Sequence, residues 1–435
     1  MKKRFAICST IVLLLLLSAC GAPQTLDFSY APEGEELSSL MVETSQTHRA
    51  ELEHVPSAAD FADAISDDPA SAGLLSESEV ESLLRGHAAM ETVSKEQAQS
   101  DASLLFRTLQ SAYGAYEYFG QEKFDAAEDA VTQWLSSQDD EIKVSALGEK
   151  LQESLAFMLA HDAHAVIYEP AAEEIEAQVR YEYFFADGFY FSKDVNDSYY
   201  MVNDGERWTL SSFSDEHVSV QPTLLQDGRI VYQPTLFALR KDAVQSSVTL
   251  KNSSGKAKIY RLDWTESQPL DVDLGTLDYR LIQEDGLTYV SLRSLVSGTY
   301  DNMLARYARE GEKARGSKAV IYDLRGNVGG SDSWPRKWIQ SFLGTQNSIE
   351  TSMLYAQKNS ALFAAENSES LLPEDEGTCF AREVHGTWYE NDIPIIVLVD
   401  DHCGSSGEGA VQLLKTLDNV LVVGSNTAGY QLCGN

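Results

Sequence analysis

The chain has 435 residues and a formal net charge of −34, with 43% hydrophobic and 23% charged residues. That length exceeds what one hydrophobic core sustains, so two or three domains of about 100–200 residues are expected, with ample apolar material to fill them. So acidic a chain repels polyanions, which sets aside nucleic acid and anionic lipid headgroups as partners.

In chain order, Met1-Lys2-Lys3-Arg4 forms the positive flank of a secretory signal, and the run from Ile11 to Leu17 forms its apolar centre. From Arg4 to Cys20 the stretch falls short of the about 20 apolar residues that a membrane span needs, so it reads as a cleaved signal. Leu17-Ser18-Ala19-Cys20 resembles the lipobox of bacterial lipoproteins. Residues 1–20 are therefore expected to be a lipoprotein signal, with Cys20 carrying the lipid that holds the protein on the membrane, outside the cytoplasm. The other reading is an ordinary signal with a chance cysteine. Cys8 leaves with the signal, so Cys379, Cys403 and Cys433 remain, an odd number that is no complete disulfide framework. No Cys-x-x-Cys or His-x-x-x-His spacing offers a metal site, and no cofactor is implied.

Residues 21–101, rich in Ser, Ala, Glu and Asp without a sustained period, read as a loosely ordered acidic tether with one short helix around Glu77 to Arg85. Residues 102–167 read as a small helical bundle. Leu105, Leu109, Ala112, Tyr116 and Phe119 mark one buried face, Phe124, Ala127, Val131 and Trp134 a second, and Leu147 to Leu159 a third. Residues 168–295 read as a β-rich middle domain. From Val179 the period drops to two, and turns at Asp187-Gly188, Asp204-Gly205 and Asp227-Gly228 suggest a β-meander whose Tyr and Phe serve packing rather than ligand binding.

Residues 296–435 switch to an α/β pattern. Ala319 to Tyr322 and Ile395 to Val399 are short continuous apolar runs, as expected of strands covered on both faces. Each is followed by a glycine-rich turn and a helical stretch, and Val420 to Val423 resumes the strand pattern. Such an arrangement gathers its loops at the carboxyl ends of the strands, where α/β proteins place their sites.

Two of those loops carry chemistry. In Asp323-Leu324-Arg325-Gly326-Asn327-Val328-Gly329-Gly330, paired glycines let the backbone approach a ligand and turn N–H groups toward an oxyanion or phosphate. In Asp401-His402-Cys403-Gly404-Ser405-Ser406-Gly407-Glu408, a serine at a strand-to-helix turn sits where free amides and the helix dipole favour negative charge. Its hydroxyl there either attacks a carbonyl or caps the helix.

Together, Asp-Leu-Arg-x-Asn-x-Gly-Gly, then Ser-x-x-Glu opening a helix, then Val-Val-Gly-x-x-Thr-x-Gly at Val422 to Gly429 resemble the C-terminal processing peptidase and tricorn family of serine peptidases, from about Thr288 to Asn435. The resemblance implies a crotonase-like ββα core and a protein or peptide substrate. It makes Ser405 the nucleophile, with Ser406 as the alternative. It also implies an oxyanion hole from the N–H of Gly329 or Gly330 together with that of Ser406, supported by Asp323, Arg325, Asn327 and Glu408. The processing-peptidase branch uses a lysine directly after Thr-x-Gly as base, whereas this chain has Tyr430 there and no lysine after Lys415. The tricorn-like branch draws a histidine from the helices ahead of the core, and Asp162-Ala163-His164 resembles the Asp-x-His found there. His164 is the candidate base, since an imidazole accepts a proton near neutral pH.

Other readings stay open at this level. His164 fits equally a helix C-terminal residue facing the dipole. His402, three residues from Ser405 on a tight turn, and His385, in an apparent loop, are weaker bases, and Asp162 reads as a solvated helix-end carboxylate. The acidic residue that orients the base in the tricorn-like branch lies well past the nucleophile and is expected beyond Asn435 or from elsewhere in the chain. No carboxylate-binding loop of a PDZ module is present in the β-rich middle. The rival functions are an inactive lipoprotein that binds peptides or envelope partners on the same fold, and an acyl-CoA enzyme of the crotonase type.

Overall fold

The computed structural model describes residues 37–85, 90–167, 181–186, 188–203, 205–225, 229–239, 246–266, 279–298 and 301–430. The signal, Cys20 and Cys433 lie outside them. No helix among the described residues is long and apolar enough to cross a membrane. The fold is mixed α/β, and the chain divides into two compact units, Met1–Ser39 with Glu182–Gln268, and Leu40–Tyr181 with Pro269–Asn435.

The first unit holds two sheets rather than one meander. In the five-stranded sheet, Glu206–Phe213 pairs antiparallel with Tyr199–Asn203 on one side and with Ser246–Asn252 on the other. The intervening strands Val218–Leu224 and Ile230–Leu239 belong to the four-stranded sheet. A single sheet would leave one apolar face in water, and two sheets bury both. Phe191, Trp208, Val248 and Leu250, all at most 1% exposed, lie in a shared core with Tyr232 and Leu236. The aromatic residues are thus packing, as their strand periodicity implies. Of the three turn signals, Gly188 and Gly205 take positive φ, while Asp187, Asp204 and Asp227-Gly228 lie outside the described residues.

The second unit, from Leu40 on, departs from the expected tether. Leu37–Glu53 is a helix inside the stretch read as a tether, and it is docked. Leu40, Met41, His48 and Leu52 are buried, the Ser45 hydroxyl accepts the Asn419 amide at 2.9 Å, and Lys415 pairs with Glu51 at 2.7 Å. Low overall hydrophobicity hid a narrow apolar stripe, which suffices where a folded surface is available to cover it. The helix Glu77–Arg85 forms as expected.

The helical bundle starts earlier than its apolar face suggested, at Lys95, where the Ser94 hydroxyl caps the Gln97 amide at 3.1 Å. Lys95–Ala112 ends before Tyr116, so Tyr116 and Phe119 sit on a separate turn, Tyr116–Phe119. Gln121–Ser137 follows. The third stretch is two helices, Val144–Ser154 and Ala156–Leu159, because Leu155 leaves the helical region (φ −99°, ψ 11°). That bend lets Leu155, Met158 and Leu159 all face the bundle core.

The C-terminal sheet has the strand order Arg280–Glu284, Leu287–Ser291, Ala319–Asp323, Ile395–Val399, Val420–Gly424. The first pair is antiparallel and the rest are parallel. Residues 280–291, assigned by their alternation to the β-rich middle, therefore belong here, since Leu287–Ser291 pairs with Ala319–Asp323. Helices Asp301–Ala314 and Ser406–Leu414 make the crossovers between parallel strands, while Ser333–Leu343 follows the third strand. Val320, Tyr322, Ile395, Val397 and Val420 are fully buried, whereas the alternate residues Ile321, Ile396 and Leu398 are half-buried, so the second face is only partly covered. The segments after Ser291, Asp323, Val399 and Gly424 gather at one end of this sheet.

Candidate active site

The first loop begins at Asp323, the last residue of its strand and 0% exposed. Its carboxylate accepts Arg325 at 2.8 and 2.9 Å, Arg293 at 3.2 Å and the Tyr289 hydroxyl at 2.7 Å. Burial alone would raise this carboxyl, but the Arg325, Arg293 and Tyr289 donors outweigh burial and hold it well below the usual carboxylate range. Burial and the bond to Asp323 push the Tyr289 hydroxyl up. Asp323 and Arg325 thus fix the loop by binding each other. Arg293 and Tyr289 escaped the sequence reading; the available signal was the position of Tyr289 on the strand that pairs beside Asp323.

Asn327, fully buried, joins the two loops. Its Nδ2 donates to the Leu292 carbonyl at 2.8 Å, its Oδ1 accepts the Gly329 amide at 2.9 Å, and its main-chain oxygen accepts the Gly404 amide at 2.9 Å. The Gly329 amide is therefore engaged. The amides of Gly330 and Ser406 donate to no acceptor among the described residues. Both glycines are required sterically. A methyl group at Gly329 (φ +100°) would lie 2.7 Å from Ser405 Cβ and 3.0 Å from the Ser406 nitrogen, and one at Gly330 (φ +140°) 2.1 Å from the Leu295 carbonyl carbon. Gly330 is bridged to Leu295, with Leu295 N–H donating to the Gly329 oxygen at 2.7 Å and Ser331 N–H to the Leu295 oxygen at 2.9 Å.

Ser405 stands at the N-cap of Ser406–Leu414 with φ 51° and ψ −122°, a conformation that costs a non-glycine residue about 1–3 kcal/mol, and its side chain makes no capping bond. Helix capping is thus not what this serine does. Ser406 is excluded as a free hydroxyl, since its Oγ donates to the Gly330 carbonyl at 2.9 Å and the residue is 8% exposed. Glu408, buried on the first turn, accepts the amides of Gly429 and Tyr430 at 2.8 Å each and so clamps the Thr-x-Gly segment to the serine helix.

His164 lies five residues past the helix end at Leu159. Its imidazole packs edge-to-face on the Tyr430 ring, centroids 4.6 Å apart at 74°. The Tyr430 ring in turn covers Gly404, where a methyl group would lie 2.8 Å from Tyr430 Cδ2. The Tyr430 ring thus touches both the imidazole and the serine turn. Asp162 is not solvated but 1% exposed; it accepts the His164 amide at 3.0 Å and the Tyr113 hydroxyl at 2.7 Å. Nδ1 of His164 is buried without a hydrogen-bond partner among the described residues.

The two other histidines considered as bases have different surroundings. His402 turns to Asp401 at 3.0 Å, and His385 is exposed just past the ribbon strand Cys379–Val384. Asp400, Asp401 and His402 place one ligand-type atom each within 4.8 Å of one another. Asp401 Oδ1 and His402 Nδ1 lie 3.0 Å apart without a hydrogen bond, whereas Asp400 accepts the amides of Gly326 at 2.8 Å and His402 at 3.2 Å and so holds the turn. Cys403 and Cys379 are free thiols, and burial pushes the Cys403 thiol well up.

Residues 286–434 match the family described as peptidase family S41, which bears out the resemblance to the C-terminal processing peptidases over that stretch and supports a serine-type peptidase acting on proteins or peptides. No curated protein matches the chain in sequence. Similar solved structures include mature CPAF (13% identity, 77% of this chain and 84% of that one, TM-score 0.39) and the photosystem II D1 C-terminal processing protease (12%, 77% and 82%, TM-score 0.30). A third is a lipoprotein from Streptococcus agalactiae (14%, 79% and 80%, TM-score 0.27).

Proposed function

We propose that the protein is a serine peptidase on a crotonase-like core, anchored outside the cytoplasm through Cys20. In this reading Ser405 Oγ attacks the peptide carbonyl while His164 takes its proton. The amides of Gly330 and Ser406 receive the oxyanion, and His164 returns the proton to the leaving amine. Water then releases the acyl group from Ser405 by the same proton route. No metal and no organic cofactor enters.

The observation that carries the reading is Ser405 itself: a strained, half-buried serine at a helix N-terminus that does not cap the helix, packed so closely on Gly329 that an added methyl there would meet its Cβ at 2.7 Å. Strain of this kind persists only where the surrounding structure imposes it. Asn327 holds the neighbouring Gly404 amide, and Glu408 ties the following helical turn to Gly429 and Tyr430.

A fluorophosphonate probe on the chain lacking its signal tests the reading. Wild type and Ser406→Ala are expected to label and Ser405→Ala not to, with peptide hydrolysis lost in the same variant. Equal labelling of wild type and Ser405→Ala overturns the nucleophile. Peptide binding without turnover, unaffected by Ser405→Ala, selects the inactive binding lipoprotein instead.

A further inference from the structure

We infer that Tyr430 is the positioning residue that holds the His164 imidazole toward Ser405, in the place where the processing-peptidase branch carries a lysine. The inference rests on Ser405 and His164 being nucleophile and base. Three contacts carry it. Glu408 binds the Tyr430 amide at 2.8 Å and the Gly429 amide at 2.8 Å, and Glu408 sits three residues past Ser405 on the first turn of the serine helix. The Ala428 amide donates to the Cys403 carbonyl at 2.8 Å, two residues before Ser405. The segment bearing Tyr430 is therefore tied at two points to the turn bearing the nucleophile, and the ring moves with it.

The ring then has two neighbours of consequence. One is Gly404, where only a missing side chain leaves room for it, and the other is the His164 imidazole at 4.6 Å. Asp162 fixes the main chain at His164 through its amide, but that bond leaves the rotation of the side chain open. Nδ1 of His164 has no hydrogen-bond partner among the described residues, so no carboxylate among them sets the ring plane in the usual way. Edge-to-face packing has a preferred geometry, and here it supplies the orientation that a hydrogen bond supplies elsewhere. The phenyl ring is what acts; the hydroxyl is not needed.

The test uses the chain lacking its signal, the rate of fluorophosphonate labelling at Ser405, and the imidazole resonances of His164 by NMR. Tyr430→Phe is expected to keep both. Tyr430→Leu fills the space without a ring and is expected to slow labelling about 10- to 100-fold, the cost of roughly 1 Å of misplacement, and to shift the His164 resonances. If Tyr430→Leu does not fold, judged by thermal unfolding, Tyr430→Met, which likewise removes the ring, is read the same way. Wild-type labelling with unchanged His164 resonances in Tyr430→Leu overturns the inference, as does a loss in Tyr430→Phe equal to that in Tyr430→Leu. His164→Gln, run in parallel, separates the two claims. Loss of labelling there with none in Tyr430→Leu leaves the base standing and removes only the positioning role, whereas full labelling in His164→Gln removes the base and with it the inference.

Discussion

The main-chain oxygen of Asn327 accepts the Gly404 amide at 2.9 Å, so the glycine-rich loop and the serine turn, 77 residues apart in sequence, share one buried amide residue. Its side chain adds bonds to Leu292 and Gly329, and truncation leaves a buried carbonyl and a buried N–H without partners. Asn327→Ala is expected to cost about 2–4 kcal/mol in urea unfolding and to slow labelling of Ser405. A stability unchanged from wild type would show that the two loops are held by something else.

Gly329→Ala probes the site without removing a polar group. The added methyl meets Ser405 Cβ at 2.7 Å, the Gly404 oxygen at 2.9 Å and the Ser406 nitrogen at 3.0 Å, on a backbone with φ +100°. The nucleophile and one of the two free amides must then shift. Labelling is expected to fall by about 100-fold or more, comparable to losing an oxyanion donor, while far-ultraviolet circular dichroism remains that of wild type. An unimpaired rate would place the acceptor of negative charge elsewhere.

Acid sensitivity is expected from a site far from the chemistry. Burial, with the Lys415 charge, lowers the pKa of His48 to about 4, against a smaller opposing effect of Glu51. The unfolded chain therefore binds a proton that the folded chain refuses. The stability tied to neutral His48 is complete above about pH 6.5 and is lost as pH falls through about 4, amounting to roughly 3 kcal/mol at most. Urea midpoints measured from pH 7 to pH 4 should decline more steeply in wild type than in His48→Leu. Parallel curves would mean that the helix Leu37–Glu53 does not hold an uncharged imidazole.

What the residues revealed in advance follows a physical division. The strands Ala319–Asp323, Ile395–Val399 and Val420–Gly424 were legible because buried parallel strands are short and apolar and glycine turns mark their ends. Ser405 was legible from the order and spacing of three motifs, not from its own loop, where capping was the stronger local reading. The helix Leu37–Glu53 was not legible, because its stability comes from surfaces 300 and 374 residues away, at Ser352 and Asn419. Asp162 was misread because a carboxylate at a helix end is usually solvated, whereas here the Tyr113 hydroxyl, from 49 residues earlier, and the His164 amide make it a buried acceptor. The role of Tyr430 was invisible for the same reason: a missing lysine is a fact of sequence, but the imidazole that packs on the replacement arrives from 266 residues earlier.

The central claim is that His164 takes the proton from Ser405, and the most direct measurement is the rate of Ser405 acylation by an activated ester in His164→Ala, with and without added imidazole. The account predicts a loss of about 10²- to 10⁴-fold and partial recovery as imidazole enters the vacated space beside Tyr430. Acylation at the wild-type rate in His164→Ala would contradict it.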